Sequence, residues 1–551
     1  MSSWYDHAII YQIYPKSFQD SNGDGIGDLN GIRQRIPYLK QLGINAIWLN
    51  PVFVSPQVDN GYDVANYYAI DDKIGTMAEM DDLIAELHAA GIHLILDFVI
   101  NHTSDQHPWF KDAVANPHSI YRDYYIFAGH HNQRPNNWGS FFGGTVWEPD
   151  PAGTGQSYFH LFDKHMPDLN WKNPEVRLSM EDVAKYWLAK GIDGLRIDAF
   201  IHIAKANLAQ NFPTNAGANE AVLAEPFYAN LPNVQKWLRP FCQHIKADYP
   251  ETFLLGEAAS ANVNLAVDYT SQHAQMMDSV ITFRYFPLRQ SANDVNKPAL
   301  LQSEDMDWPE FKKNQTIWQQ TLSGVSQPVL YWGNHDMARV MTRVAHNAIS
   351  AKSLAMLMYL QRGIPVIYYG EELGMENLQF TSPDQFQDQT VAATVQHADM
   401  SETDALKVIS THHKMPARGP MLWNDEANHG FTTGQPWLSG QEAPVASAAT
   451  QSTDEDSMLK FYQQLFALKK FPIFQSGDYC LLPTDDDTFV YTRSDAGQTA
   501  IVLVNLSSQT KRVAIPSGKY RELLSSGQHE VSAERVELGA NGGLVLLGNH
   551  D

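Results

Sequence analysis

Seven residues hold most of the reactive character of this chain: Asp97, His102, Arg196, Asp198, Glu257, His335 and Asp336. The acids fall at or just beyond the C-terminal ends of four separate short apolar runs. One acid in such a place means little, because loops are polar. Four on separate runs, beside two histidines and an arginine, point to a single shared site. Cys242 and Cys480 lie far apart and give neither a disulfide framework nor metal-ligand spacing. Paired carboxylates without Cys or His ligands fit nucleophilic and acid–base work on a glycosidic bond. Arg196 lies two residues before Asp198 and therefore on the same strand face. Its guanidinium should hold Asp198 ionised, as a nucleophile requires. Glu257, facing that negative charge and partly desolvated, should serve as general acid. The plainer alternative is a structural Arg196–Asp198 ion pair.

The elements that position these residues repeat one phrase. Gly43-Ile-Asn-Ala-Ile-Trp-Leu-Asn50 and Gly191-Ile-Asp-Gly-Leu-Arg-Ile-Asp198 share a pattern, and Gly91-Ile-His-Leu-Ile-Leu-Asp97 is one residue shorter. Before Gly91, Met80, Leu83, Ile84 and Leu87 form one helical face. Thr76 and Glu79 have capping-box spacing, and Gly91 suits the left-handed stop. Before Gly191, Asn173 can cap, Pro174 fits the first turn, and Val176, Met180, Val183 and Trp187 form the stripe. Further apolar runs at 9–14, 253–255, 280–283, 329–332 and 365–369 bring the strands to eight. Eight continuous apolar strands alternating with helices predict a closed (β/α)8 TIM barrel, α/β in class, with a doubly wound open sheet as the alternative. A barrel places catalytic residues beyond the C-terminal strand ends, where these acids fall.

The stretch from about 103 to 169 is rich in Trp, Asn, Gly and His with little periodicity, and reads as a small domain inserted after the third strand. Residues 371–457 are polar and end in a Ser/Thr/Ala-rich acidic segment. Alternating apolar residues at 488–492 and 499–506 around Asp495-Ala-Gly497 predict an antiparallel β tail. The expected division is a barrel over 1–102 and 173–475, an insertion over 103–172 and a β-sandwich over 476–551. The 551 residues carry 39 Lys+Arg against 62 Asp+Glu, a net charge of -23, which disfavours nucleic acid or an anionic membrane as partner. No signal peptide is visible, and the most apolar run, 353–370, is broken by Gln361, Arg362 and Pro365. A cytoplasmic protein is expected.

The segments Asp97-Phe-Val-Ile-Asn-His102, Gly194-Leu-Arg-Ile-Asp198, Gly256-Glu257 and Asn334-His-Asp336 resemble, in order, the four core regions of the α-amylase family, glycoside hydrolase family 13. Met166-Pro-Asp-Leu-Asn-Trp171, Arg418-Gly-Pro-Met-Leu-Trp423 and the opening Ile10-Tyr-Gln-Ile-Tyr-Pro-Lys-Ser-Phe18 are similar to its oligo-1,6-glucosidase/α-glucosidase branch. The resemblance implies Asp198 as nucleophile, Glu257 as acid/base and Asp336 as the third acid, which grips sugar hydroxyls. It implies His102 and His335 as hydroxyl binders and Arg196 as partner of the nucleophile. Asp59 and Tyr62, in Val58-Asp-Asn-Gly-Tyr-Asp63, match the pair that closes the pocket, with Arg418 binding that aspartate. A closed pocket implies removal of one glucose at a time. Phe142 and Phe162, with Phe141, are candidate pocket walls.

Two departures bear on specificity. Met166 stands where the branch often has Gln, and Ala199 follows the nucleophile where α-1,6-acting members often carry Val. Ala258-Ala-Ser-Ala-Asn262 also differs from α-1,6-acting and trehalose-6-phosphate hydrolases. By resemblance, the small Ala199 goes with α-1,4 tolerance. The expected activity is a retaining α-glucosidase acting on small neutral oligosaccharides, α-1,4 favoured. The alternatives are α-1,6 cleavage, trehalose-6-phosphate hydrolysis, glucosyl transfer, or a catalytically silent scaffold, which should lack the acids. No cofactor is needed for this chemistry. Asp20, Asn22, Asp24, the Ile26 carbonyl and Asp28 are spaced like the first part of a calcium loop, so a structural Ca²⁺, or Mg²⁺, is expected, the alternative being a glycine-rich turn bonded to its own backbone.

Overall fold

The computed structural model describes residues 3–549 apart from 132, 216, 218–219, 291–296 and 303. The outer ends of the expected first and last domains therefore lie outside the described residues. Eight strands, β1 (Ile10–Ile13), β2 (Ala46–Leu49), β3 (His93–Val99), β4 (Gly194–Asp198), β5 (Phe253–Glu257), β6 (Ser279–Ile281), β7 (Val329–Leu330) and β8 (Ile364–Tyr368), pair in parallel. Their order is β6-β5-β4-β3-β2-β1-β8-β7, the sequential order of a barrel cut between β6 and β7. Side chains bridge that seam: Ser279 Oγ donates to the Gln327 carbonyl at 2.6 Å, and the Tyr331 hydroxyl to the Thr282 carbonyl at 2.7 Å. Every predicted run supplies a strand.

The helices stop and start on the residues read from the sequence. In α1 (Met77–Ala90), Thr76 and Glu79 form the capping box, Met80, Leu83, Ile84 and Leu87 are buried, and Gly91 takes φ 77°. In α2 (Pro174–Ala189), Asn173 caps and Val176, Met180, Val183 and Trp187 face the barrel. One expectation is corrected. β3 runs past Asp97 to Val99, and its register sets Asp97 beside Arg196. Asp97 therefore lies within the barrel wall, not at its rim.

After β3, Phe127–Ala128, Trp147–Pro149 and Ser157–Phe159 form a small antiparallel sheet. The long loop after β4 completes this lobe. Gly139 N–H donates to the Val222 carbonyl at 2.7 Å, and Ala224 and Tyr228 join the apolar cluster of Trp138, Trp147, Phe159 and Leu161. At the C-terminal end, a five-stranded antiparallel sheet and a three-stranded one enclose Val490, Ile501, Leu503, Val536, Leu538 and Leu544. The Ala496-Gly497 pair, both at positive φ, makes the two-residue hairpin between Thr488–Asp495 and Gln498–Asn505. No helix among the described residues is long and apolar enough to cross a membrane.

One buried cation ties the lobe to the barrel. Lys205, on the loop after β4, places Nζ 2.6 Å from Asp168 Oδ2 and 3.3 Å from Asn101 Oδ1, and also donates to the His202 carbonyl. Both members of the ion pair are buried. Removing one partner of such a pair leaves an uncompensated charge. Lys205→Met should thus destabilise this junction by roughly 3–5 kcal/mol. Hydrogen exchange should rise across 157–169 before the barrel strands respond; unchanged protection there would refute the role given to Lys205.

Candidate active site

At the C-terminal mouth of the barrel is a cavity of about 280 Å³, lined by Asp59, Tyr62, His102, Phe142, Phe162, Asp198, Ala199, Glu257 and Asp336 among others. The residues singled out from the sequence thus converge. A larger cavity of about 810 Å³ lies at the opposite end of the barrel, but it lacks this set of acids, and its Lys246 is already paired with Asp278.

The floor of the pocket is organised by Arg196. Nη1 lies 2.7 Å from Asp97 Oδ1 and 2.5 Å from Asp198 Oδ1, while Nη2 lies 2.8 Å from Glu257 Oε2. Three adjacent strands thus each present a carboxyl to one buried guanidinium. Glu257 also accepts the Ala199 N–H at 3.0 Å. Ala199 itself takes φ 44°, a left-handed conformation uncommon for residues other than glycine. Behind Glu257, Gly256 has no room for a side chain, since a Cβ would stand 2.5 Å from Phe200 Cε1.

The electrostatics correct one expectation. Arg196 does contact Asp198 and pulls its pKa down, but burial is the larger influence, and the charges of Glu257 and Asp97 add to it. The Asp198 carboxyl is therefore pushed well above the ordinary range, not held low. Asp336 goes the other way. Burial opposes its charge, but the Lys414, Arg418 and Arg196 cations around it, with the His335 ring 3.3 Å away, hold it far below the usual carboxylate range. Lys414 Nζ is 3.2 Å and Arg418 Nη2 3.1 Å from Asp336 Oδ1.

Of the remaining predicted residues, Asp59, Tyr62, His102, Phe142 and Phe162 line the walls, and His335 and Arg418 lie behind them. Asp63, not itself a candidate, shapes the 58–63 turn by accepting the Val58 and Asp59 N–H groups at 2.9 and 3.0 Å. Tyr62 stacks on His335, ring centroids 5.4 Å apart. His102 is buried and burial lowers its pKa; its Nδ1 lies 3.3 Å from Asn101 Nδ2, and its Nε2 finds no hydrogen-bond partner among the described residues. Phe162 meets His102 edge-on and Phe142 stands half-exposed beside it. Arg418 is a second correction. Its Nε donates to the His335 carbonyl at 2.8 Å and its ion-pair partner is Asp336; among the described residues no ion pair joins it to Asp59. Asp59 reaches it only through longer-range attraction.

Sequence reasoning missed Lys414, His202, Ile201, Ala259 and Phe283, all in the lining. His202, inside the apolar Ala199-Phe-Ile-His-Ile203, was a visible signal: a titratable ring in a buried run. Lys414 had none, because it sits in a polar stretch. The expected metal loop has a different character. Asp20 accepts the N–H groups of Asn22, Gly23 and Gly25, Asn22 that of Asp24, Asp24 that of Ile26, and Asp28 those of Ser21 and Gly31. Among the described residues no three His, Cys, Asp or Glu side chains converge to hold an ion. In this arrangement the side chains of Asp20, Asn22, Asp24 and Asp28 bond backbone N–H groups of the loop, as the glycine-rich turn would have them.

Carboxyls from separate strands gathered about one arginine at a barrel mouth fit the nucleophilic and acid–base work of a glycoside hydrolase. The alpha-amylase catalytic-domain family matches residues 12–477. The oligo-1,6-glucosidase of Parageobacillus thermoglucosidasius is 36% identical over 97% of this chain and 96% of its own length. The trehalose-6-phosphate hydrolase of Bacillus subtilis strain 168 is 36% identical over 93% and 91%. A solved structure described as a family GH13_31 enzyme is 60% identical, with full coverage of both chains and a TM-score of 0.93. The chain belongs to the α-amylase family, glycoside hydrolase family 13.

The shifted Asp198 has two measurable consequences. A carboxyl whose folded pKa exceeds its unfolded value of about 3.9 contributes stability at low pH, and this is lost as pH rises through the folded pKa. Asp198→Asn, which cannot ionise, should therefore melt higher than the parent at about pH 7, with the gap closing toward about pH 4. In kinetics, the acid limb of kcat/KM should fall at a pH above the ordinary aspartate value of about 3.9. Equal melting at both pH values, with a limb at the ordinary position, would contradict the raised Asp198.

Proposed function

We propose that this enzyme is a retaining, exo-acting α-glucosidase that releases glucose from the non-reducing end of short neutral α-glucosides, with α-1,4 linkages ahead of α-1,6. The observation that carries the reading is the grip of Arg196 on both Asp198 and Glu257 through its two terminal nitrogens. Sharing one guanidinium favours the close spacing of retaining glycosidases, about 5–5.5 Å, over the 6.5–9.5 Å that leaves room for an inverting water.

In the first step Asp198 attacks the anomeric carbon while Glu257 protonates the departing glycosidic oxygen. The C–O bond breaks and a glucosyl ester of Asp198 forms. In the second, Glu257 takes a proton from water, whose oxygen attacks the same carbon and frees Asp198. A sugar hydroxyl in place of water would make the step a transfer. Asp336, kept ionised by its cations, suits the gripping of hydroxyls, as does the unpartnered His102 Nε2. Asp59 and Tyr62 would close the pocket beyond the terminal sugar, with Phe142 and Phe162 against its ring. All bond and proton changes in this scheme fall to the chain's own carboxyls.

The preference for α-1,4 rests on Ala199. Its methyl leaves space on the leaving-group side, and its left-handed backbone disfavours a β-branched residue. The α-1,6 reading is supported by the name of the Parageobacillus relative. A panel of maltose, maltotriose, isomaltose, panose, sucrose and trehalose 6-phosphate, followed by chromatography, separates them. Maltose should be cleaved fastest, and Ala199→Val should shift the ratio toward isomaltose; isomaltose cleaved much faster by the parent enzyme would overturn the linkage assignment. Asp198→Asn should abolish turnover with the fold intact, and substantial residual activity would sink the nucleophile. Glu257→Gln should spare the first step for substrates with good leaving groups; equal loss on all substrates would argue against its acid role.

A further inference from the structure

Below the pocket, one polar side chain interrupts an otherwise apolar strand. Gln12, on β1, is wholly buried and faces the barrel interior. Its Nε2 lies 2.9 Å from Asn50 Oδ1 and 2.8 Å from His335 Nδ1. Neither amide orientation nor histidine tautomer is free here, because the network begins at Asp97, both of whose oxygens meet groups that can only donate. Asp97 Oδ2 is met by Trp48 Nε1, a donor only, at 3.1 Å, and Asp97 Oδ1 by Arg196, also a donor only, at 2.7 Å.

The consequences follow one atom at a time. Asn50 sits 3.2 Å from Asp97 Oδ2, so it must point its NH₂ there and its Oδ1 toward Gln12. Gln12 must then present its own NH₂ to Asn50 Oδ1, and the second hydrogen of that NH₂ faces His335 Nδ1. His335 Nδ1 is left as the acceptor. Burial lowers the pKa of His335 far below its ordinary value, so the ring is neutral and its single proton sits on Nε2. That Nε2 is 2.5 Å from the Tyr62 hydroxyl and 3.3 Å from Asp336 Oδ2. Tyr62 then accepts from His335 and from Asn50 at 3.0 Å, and its own proton goes to Asp97 Oδ2 at 2.9 Å. Every donor hydrogen in this loop finds an acceptor, and Gln12 Oε1 has no partner among the described residues.

We propose that Gln12 is a positioning residue that fixes His335 as the Nε2–H tautomer, so that this ring donates, and never accepts, on the pocket side. The chain runs from Gln12 through His335 and Tyr62 to Asp97, and so to the guanidinium that holds Asp198. Its kinetic consequence rests on the function proposed above, with His335 facing sugar hydroxyls; the tautomer itself does not.

The deciding measurement is made on the resting enzyme. With ¹⁵N-labelled histidine, the His335 ring signals, assigned by their loss in His335→Asn, should show Nδ1 unprotonated and Nε2 protonated. In Gln12→Glu, where a carboxyl replaces the NH₂ and favours a proton on Nδ1, the pattern should invert or become that of the doubly protonated ring. Gln12→Met should lower kcat/KM by about tenfold, the scale of one buried hydrogen bond. It should add nothing further in a His335→Asn background, since its effect passes through that ring. A wild-type Nδ1–H tautomer, an unchanged ring in Gln12→Glu, or full additivity of the two losses would each overturn the assignment. Because the ring signals need no turnover, their failure would be distinct from a failure of the glucosidase reading, which Asp198→Asn decides.

Discussion

The structure turns on a single positive charge placed among three negative ones. Arg196 is almost fully buried, and Asp97, Asp198 and Glu257 all lie within 2.8 Å of its terminal nitrogens. Taking such groups from water costs several kcal/mol per ion, and only close, well-aligned partners offset it. The barrel supplies the alignment. Register sets Asp97 beside Arg196 across β3 and β4, and Leu255 beside Arg196 across β4 and β5, so that Glu257 arrives two residues further along. A slip of one residue on any of these strands would turn its carboxyl to the opposite face. Ala199, left-handed just past β4, adds its N–H to the partners of Glu257.

One cation cannot satisfy three carboxylates, and the shortfall differentiates the acids of the pocket. Asp198 sits among the excess negative charge on the floor, and its pKa rises. Asp336 stands nearer the rim, between Lys414 and Arg418, and its pKa falls. Two aspartates of one site are thus driven in opposite directions by their neighbours, the pattern by which a single pocket assigns different roles to identical side chains. The net charge of -23 has no part in this, since the balance is struck among groups in contact.

Much of this was legible in the sequence because it follows short-range rules. A Gly stop, an apolar strand and a polar terminus recur, and both named helices begin and end on their capping residues. The convergence of Asp198, Glu257 and Asp336 then follows from barrel geometry. What escaped depends on contacts between distant segments. Nothing local to Arg418 shows that it serves Asp336 and not Asp59, and nothing local to Lys414 marks it as a third member of that group. The helices Gln389–Gln396 and Glu402–His412 were read only as polar because each buries a narrow stripe. At 20–28 the sequence admits two readings for a related reason. Asp and Asn at alternate positions serve equally well to bind a cation or to cap successive backbone N–H groups.

The segment after Asp198 joins floor and wall into one mechanical unit. Within seven residues of Asp198, Ala199 bonds Glu257, His202 packs its ring against Phe141 and Phe162, and Lys205 grips Asp168 and Asn101. His202 is itself fixed by the Tyr228 carbonyl, 2.9 Å from Nδ1, and Tyr228 belongs to the core of the inserted lobe. Phe141, Phe162 and the Asp198 carboxyl are therefore tied together through one short segment. Since small misplacements of reacting groups are costly, this loop transmits to Asp198 any repacking of a lobe whose own sheet lies in a different part of the sequence. The lobe thus contributes alignment as well as shape, and the loop after β4 carries that coupling.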